Sequence, residues 1–585
     1  MQITQFKGIK TDTSDKSTPA EYFRRLENFN MDSISGFDQV EMPSVEKEIG
    51  GAGYGFFQYR YLDSDNQEQT DVLSIFDGTL YKDSLGTPTV VETGLSEDDY
   101  VMQVYRDELY MACEGQNTKI YNGENSTLRD MGAPEAVVST MNGVLTGTYR
   151  YTMTYTKGGI ERVIEAYSNT INPTLKRVNL NLPIGYTGTT ARKIYRTKAN
   201  EPGVYYLLTT IGDNTTLTYE DNLVDGSLGA EISGTVLAQP QCKYIISSYE
   251  KLIATGDPKY PTQVFVSEAN LRLFDTTIYL DISNQGNDNT PVRGLAKGYD
   301  KVYTWSDTQH YVADVSGTTN TVRSLQSNVG VLSGYSPANV PKDAGIEAGV
   351  IFYASDGTIR NAVGNFQSGE DNSLDNISSG NKGQDYSNNL KSLGMARAKG
   401  IYYNNKYHLT FPEKNVVVTY DIRTNSFHEI KGVNVSAWAI IDKELYSQTD
   451  DGNIEKWYQS QTYRGEYLGG YVESPSIAVS EDQKKINKIY FWLNEEKRVK
   501  AKVTIIIEDD YSNPIIGNLE INGGDFAKSD FFIKDFLTNI RDDDYRVIHI
   551  NRYGRWIKWI LEPEEGRVQI RAITFDIENP EEEEE

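Results

Sequence analysis

Ser74-Ile75-Phe76-Asp77-Gly78-Thr79-Leu80-Tyr81 reads as two short strands around a two-residue turn. Apolar and aromatic residues alternate on both sides, which turns one face of a pleated ribbon inward. Asp77-Gly78 is a pair that accepts the positive φ of a tight hairpin turn. The unit returns at Val104-Tyr105-Arg106-Asp107-Glu108-Leu109-Tyr110, at Tyr249-Glu250-Lys251-Leu252-Ile253-Ala254 and at Tyr299-Asp300-Lys301-Val302-Tyr303-Thr304. A variant with Asp356-Gly357 spans 350–359, and two more copies turn at Asn404-Asn405 and Asp442-Lys443. Successive units lie roughly 30 to 55 residues apart, except at one large gap, which is the repeat range of propeller blades. A four-stranded blade cannot bury its faces alone and stacks on neighbours around an axis. The sequence therefore predicts an all-β chain built on a β-propeller of about six or seven blades.

The gap, 133–236, holds a different module. Thr148-Tyr149-Arg150-Tyr151-Thr152-Met153-Thr154-Tyr155 alternates strictly, Gly158-Gly159 turns it, and strands follow at Lys193–Thr197, Val204–Leu208 and Thr215–Asp221. About seven short strands in about 100 residues without a cysteine pair predict an inserted fibronectin- or immunoglobulin-like sandwich. It divides the propeller into 49–132 and 237–460. Beyond Trp457-Tyr458 longer strands, such as Ile486–Leu493 and Arg555–Leu561, predict a separate C-terminal β-sandwich over 461–580. Residues 581–585 are an acidic tail, and 1–48 read as a polar docking arm with one short helix from Thr18 to Glu27.

Composition agrees with many short strands. The 585 residues include 41 Tyr, 19 Phe and 49 Gly. Tyrosine suits a half-buried strand, ring inward and hydroxyl at the wet edge. A net charge of −26 opposes phosphate binding and so argues against sequence-specific nucleic-acid recognition. The first residues have no apolar core of a secretory signal, and no stretch approaches the ~20 apolar residues of a membrane span. The expectation is a protein made in a cytoplasm and released by means other than secretion.

Chemistry is hard to find in the sequence. His310, His408, His428 and His549 stand apart, with no metal-ligand spacing. Cys113 and Cys242 form no CxxC and read as small buried hydrophobes, although one bridge across the insert stays open. Nucleophile-elbow, P-loop and dinucleotide glycine motifs are lacking. Asp63-Ser64-Asp65-Asn66 and Asp542-Asp543-Asp544 resemble fragments of calcium loops but lack the glycine and distal glutamate, so they read as solvated loops. With 83 Asp and Glu, no carboxylate pair stands out for glycoside cleavage. No catalytic, cofactor-binding or metal residue is nominated, and the chain reads as a structural or assembly protein, not an enzyme.

The order of parts carries a resemblance. Asn28-Phe29 and Pro43 precede two blades, and the insert follows with Ala191-Arg192-Lys193-Ile194-Tyr195-Arg196-Thr197 and Gly203-Val204-Tyr205-Tyr206. Blades resume with Ile253-Ala254-Thr255-Gly256-Asp257-Pro258 and Val264-Phe265-Val266-Ser267, and Glu473-Ser474-Pro475 introduces the last sandwich. This order resembles the tail nozzle, or packaged-DNA stabilisation, proteins of short-tailed bacteriophages. The resemblance implies a virion tail component, assembled in the host cytoplasm as a ring, expected to be a hexamer. It also implies contacts with adaptor or portal proteins and with fibres or spikes, and DNA that is retained and then passes through without specific contacts. The strong acidity and the polyglutamate end depart from the better-known examples. Other classes remain open: a receptor- or glycan-binding propeller of a virion or cell surface, and a carbohydrate-active propeller enzyme.

Overall fold

The computed structural model describes all residues except 12, 33–35, 286–288, 299–300, 326–327, 342–348, 363–373, 379–385, 395–396, 494–498, 522–544 and 579–585. The acidic tail, Asp542–Asp544 and the Tyr299-Asp300 turn thus lie outside the described residues.

Among the described residues, seven antiparallel four-strand blades surround one axis. Blade 1 covers 53–92, blade 2 101–130, blade 3 244–281, blade 4 294–324, blade 5 338–376 and blade 6 399–431. Blade 7 has only three strands of its own, Ala437–Ile441, Glu444–Gln448 and Asn453–Ser460. The innermost strands touch in chain order, and that of blade 7 touches that of blade 1, so the ring closes.

The hairpins that announce the blades use the backbone geometry expected of them. Asp77-Gly78 has φ of 44° and 67°, and Asn404-Asn405 46° and 61°. Less obvious pairs do the same: Arg106-Asp107, Tyr249-Glu250 and Asp442-Lys443 are all left-handed, with φ from 48° to 71°. Each such non-glycine residue costs roughly 1–2 kcal/mol, which the surrounding pairing must offset.

The hydrophobic core is divided into layers between blades. Tyr110, Ile120, Ile245, Leu252 and Phe265 fill the layer between blades 2 and 3. Val417, Ile430, Leu445 and Trp457 fill that between blades 6 and 7, and Phe56, Phe76, Ala439 and Ile454 join blade 7 to blade 1. Cys113 and Cys242 are free and buried, and burial pushes both thiols up.

Residues 1–48 are not a docking arm. Met42–Glu48 is the outermost strand of blade 7, antiparallel to Asn453–Ser460. Pro43, which lacks an N–H, is tolerated on such an edge. Gly452 permits the closure: its φ is +90°, and a Cβ there would stand 2.3 Å from the Cα of Gly50. The expected helix from Thr18 to Glu27 does not form either. A 3-10 turn covers Asp15–Ser17, and Arg25–Glu27 is a strand.

Nor is the C-terminal sandwich separate. One of its sheets has Gln2–Ile3, Phe29–Asp32 and Gly36–Gln39 beside three C-terminal strands. The other runs without a break from blade 6 through Arg25–Glu27 into the C-terminal strands, ten strands in all. At the seam the Asn28 amide donates to the carbonyl of Glu429, and the Lys431 amide donates to Asn28 Oδ1 at 2.8 Å. Phe23, Leu26, Phe29, Met31 and Phe37 enter the same core as Ile489, Phe491, Trp559 and Ile573.

Between blades 2 and 3 stands the insert, a sandwich of three strands against five. Tyr151, Tyr155, Ile164, Val178, Leu180 and Ile194 form its interior. It is docked on the propeller by Lys157 and Arg162, which meet Asp275, and by Tyr155, whose hydroxyl donates to the carbonyl of Gly132.

Three of the four histidines are buried and neutral. His310 lies among Tyr303, Trp305 and Phe352, and neither ring nitrogen has a partner among the described residues. Burial pulls its pKa down to about 3 from 6.5. A native pKa below the unfolded one means stability is complete above pH 6.5 and is lost as pH falls from there towards 3. For His310 alone this amounts to roughly 2 kcal/mol between pH 8 and pH 5. His310→Phe is expected to raise stability at pH 5 by more than at pH 8. Urea unfolding at the two pH values reads the difference, and equal shifts would refute it.

Candidate functional site at the propeller axis

Residues beside the blade strands gather at one end of the axis. Asp99 precedes blade 2, Tyr335 precedes blade 5, Lys399 opens the inner strand of blade 6, and Asp450 follows the second strand of blade 7. Asp99 and Lys399 are both almost fully buried and form an ion pair at 2.5 Å. Lys399 also donates to the carbonyl of Ser436, Arg397 stands 3.6 Å from Asp99, and the Tyr335 hydroxyl donates to the Asp99 carbonyl at 3.1 Å. Blades 2 and 6 are not neighbours, so this cluster crosses the axis. Truncating one partner of such a buried pair leaves the other charge uncompensated, which is far more costly than never having had the pair.

The local electrostatics follow from the burial. Burial pulls the Lys399 ammonium down, against the raising influence of Asp99. Burial pushes the Asp450 carboxyl up, against the pull of Arg397 and Lys399. Beside the cluster a hollow of about 520 Å³ opens over blades 3 to 5. Lys243 pairs with Glu114 at 2.7 Å and Arg293 with Asp307 at 2.9 Å, Asp257 accepts the amides of Gln241 and Lys259, and Tyr244 and Tyr335 meet edge to face in its wall. The opposite end of the axis is mostly apolar: Phe57, Val104, Ile401, Trp438 and Ile440 line a depression of about 490 Å³, to which Gln58 and Arg60 add the polar part. The propeller axis is thus a bolted post with one polar and one greasy end.

Among the described residues no group of three or more His, Cys, Asp and Glu is placed to hold a metal ion. Asp63, read as a calcium-loop fragment, instead accepts the amides of Asp65 and Gln67 and the side chain of Gln69 within its own turn. His408 lies between Thr419 and Tyr458, and His549 is exposed on the C-terminal sandwich. None of Asp99, Tyr335, Lys399 and Asp450 was singled out in the sequence. Their one signal is position, next to a blade's strands; their pairing across 300 residues has none. No helix among the described residues is long and apolar enough to cross a membrane.

No family model matches the chain, and no curated protein matches it. Solved structures similar to it include PorZ, a surface component of the type-IX secretion system of Porphyromonas gingivalis. That likeness has 11% identity and a TM-score of 0.27, over 77% of this chain and 69% of the other. BamB from Moraxella catarrhalis is similar at 11% identity and a TM-score of 0.26, over 62% of this chain and 95% of its own. An exo-β-1,3-galactanase from Phanerochaete chrysosporium, solved with galactose, is similar at 9% identity and a TM-score of 0.23, over 59% and 97%. Likenesses this distant assign no activity. The expectation that the chain is not an enzyme is withdrawn: a glycosidase is among the structures similar to it, and at 9% identity that likeness assigns activity in neither direction. The fold class itself is as the sequence implied, an all-β propeller with two sandwiches.

Proposed function

We propose that the chain is a structural component of a virion tail, a nozzle subunit that associates side by side into a ring, retains packaged DNA and conducts it at ejection. The observation that carries this reading is the sheet of ten strands joining blade 6, the N-terminal segment and the C-terminal sandwich. A subunit so tied can bear load without a hinge between its domains. The bolted axis adds a geometric condition: DNA would pass between copies, not through the propeller. Closed rotational symmetry with heterologous contacts supplies such a passage. Acidic side chains on its wall would let DNA slide, since like charges repel and few cations grip phosphate.

The test is the mass of the purified protein, followed by imaging. The expected result is a ring, at six times the 65.9 kDa chain mass, with a central passage. A protein that stays monomeric at all concentrations, or a ring with a strongly basic lumen, would sink the proposal. A second reading, a receptor- or glycan-binding propeller of a virion or cell surface, is favoured by the tyrosine-walled hollow beside the axis. Binding of the isolated monomer on a glycan array, lost in Tyr335→Ala, would support it.

A further inference from the structure

The insert carries a second hollow, remote from the propeller axis. Its volume, about 640 Å³, is that of a small-ligand site. Tyr167 and Tyr205 stack in its wall, ring centroids 5.1 Å apart and planes at 23°. The Arg150 guanidinium lies 5.4 Å from the Tyr167 centroid. Arg150 is held in place by two neighbouring segments: its amide donates to Thr197 Oγ1 at 3.1 Å and its Nε to the Ser168 carbonyl at 3.0 Å. Its terminal Nη groups are left with no acceptor among the described residues. The Tyr167 and Tyr205 hydroxyls are likewise without a protein partner there. Burial pushes both phenols up, that of Tyr205 to about 12, so both remain O–H donors at neutral pH.

The rim is polar and open. Thr148, Thr170 and Asn200 are exposed around it. Asn200 Oδ1 accepts the Thr148 amide at 2.9 Å, and its NH2 group has no acceptor among the described residues. Gly203, at φ +95°, leaves open space where a Cβ would stand. The nearby carboxylate of Asp130 is already answered by Lys119 at 2.6 Å and by the Tyr167 amide at 2.9 Å. A cation with two free donors, an aromatic face, unbonded hydroxyls and a spare amide form a set suited to a carboxylated ring with several hydroxyls. A flat pair of stacked rings makes one ridge, not the row of grooves that a proline-rich peptide requires.

We propose that this hollow binds an acidic saccharide, a hexuronic-acid unit of a glycan, with its carboxylate on the Arg150 Nη groups and its ring against the tyrosines. The proposal is independent of the ring reading, since the hollow is complete within one chain.

The full-length protein would be titrated by calorimetry with a hexuronic-acid tetrasaccharide and with the neutral hexose tetrasaccharide of the same linkage. The acidic sugar is expected to bind at least tenfold more tightly, a preference that Arg150→Met abolishes and Arg150→Lys partly restores. Should Arg150→Met fold poorly, as a lowered Tm would show, Tyr167→Phe keeps the ring and removes one donor, with a several-fold loss expected. Equal affinity for the two sugars, a preference unchanged in the folded variants, or tighter binding of a proline-rich peptide would overturn the proposal.

Discussion

Replacing Phe37 by Ala is expected to destabilise the C-terminal half of the molecule by about 3–5 kcal/mol, the cost of emptying a large aromatic site in a packed core. Phe37 is fully buried. It meets Phe6, Phe23 and Phe29 edge to face at 5.0 to 5.7 Å and stacks on Trp559 with planes 12° apart. Its strand also pairs with the last strand of the chain, Phe37 opposite Ile570. Loss of this anchor loosens the segment that, five residues on, becomes the outer strand of blade 7. Calorimetry of the variant should therefore show the sandwich and propeller transitions moving down together. A shift in one transition alone would show that the two bodies are less tightly joined than the pairing implies.

Asp221→Ala is expected to act on the insert alone, by a similar 3–5 kcal/mol, because it strands a buried cation. Arg196 and Asp221 are both wholly buried and 2.5 Å apart. The same carboxylate accepts the Tyr151 hydroxyl at 2.9 Å, and the Arg196 guanidinium lies 4.9 Å from the Tyr149 centroid. Asp225, at 2.7 Å, can answer only part of the charge. The double variant Arg196→Met with Asp221→Leu, which removes both charges, should recover most of the loss. Protease sensitivity within 133–236, with the propeller left intact, is the readout. Cleavage spread over the whole chain would contradict the prediction.

The blades were legible because their information is local. Each is announced by a hairpin whose two turn residues and flanking alternation fit in about eight positions. Five of these hairpins join the first two strands of a blade, while Asp77-Gly78 and Asp356-Gly357 join the second and third, a distinction alternation alone does not show. The first 48 residues were misread for the opposite reason. Their strands are two to seven residues long, and, apart from the local pairing of Phe29–Asp32 with Gly36–Gln39, their partners stand some 400 to 570 positions away. Phe23, Phe29 and Phe37 follow neither a period of two nor one of 3.6, because each belongs to a different strand or bend in one core. Thr18-Pro19 resembles a helix start, but the Phe23 amide is taken by Gly8 and the Arg24 amide by Glu473. The axial bolt and the tyrosine hollow escaped notice because they are made of common residue types whose meaning lies in being neighbours.

The outer strand of blade 7 also sets a clock for biosynthesis. Met42–Glu48 leaves the ribosome early, yet its partner begins at Asn453. At about 5–20 residues per second the interval is roughly 20 to 80 seconds. During that time the nascent propeller is an open arc with an unsatisfied strand at its start, the kind of edge that invites pairing with other chains. The strand is built for waiting: Pro43 removes a donor, and Glu46, Lys47 and Glu48 charge the ribbon. The ring of blades would then close only once synthesis has finished, so every earlier chain carries an open edge.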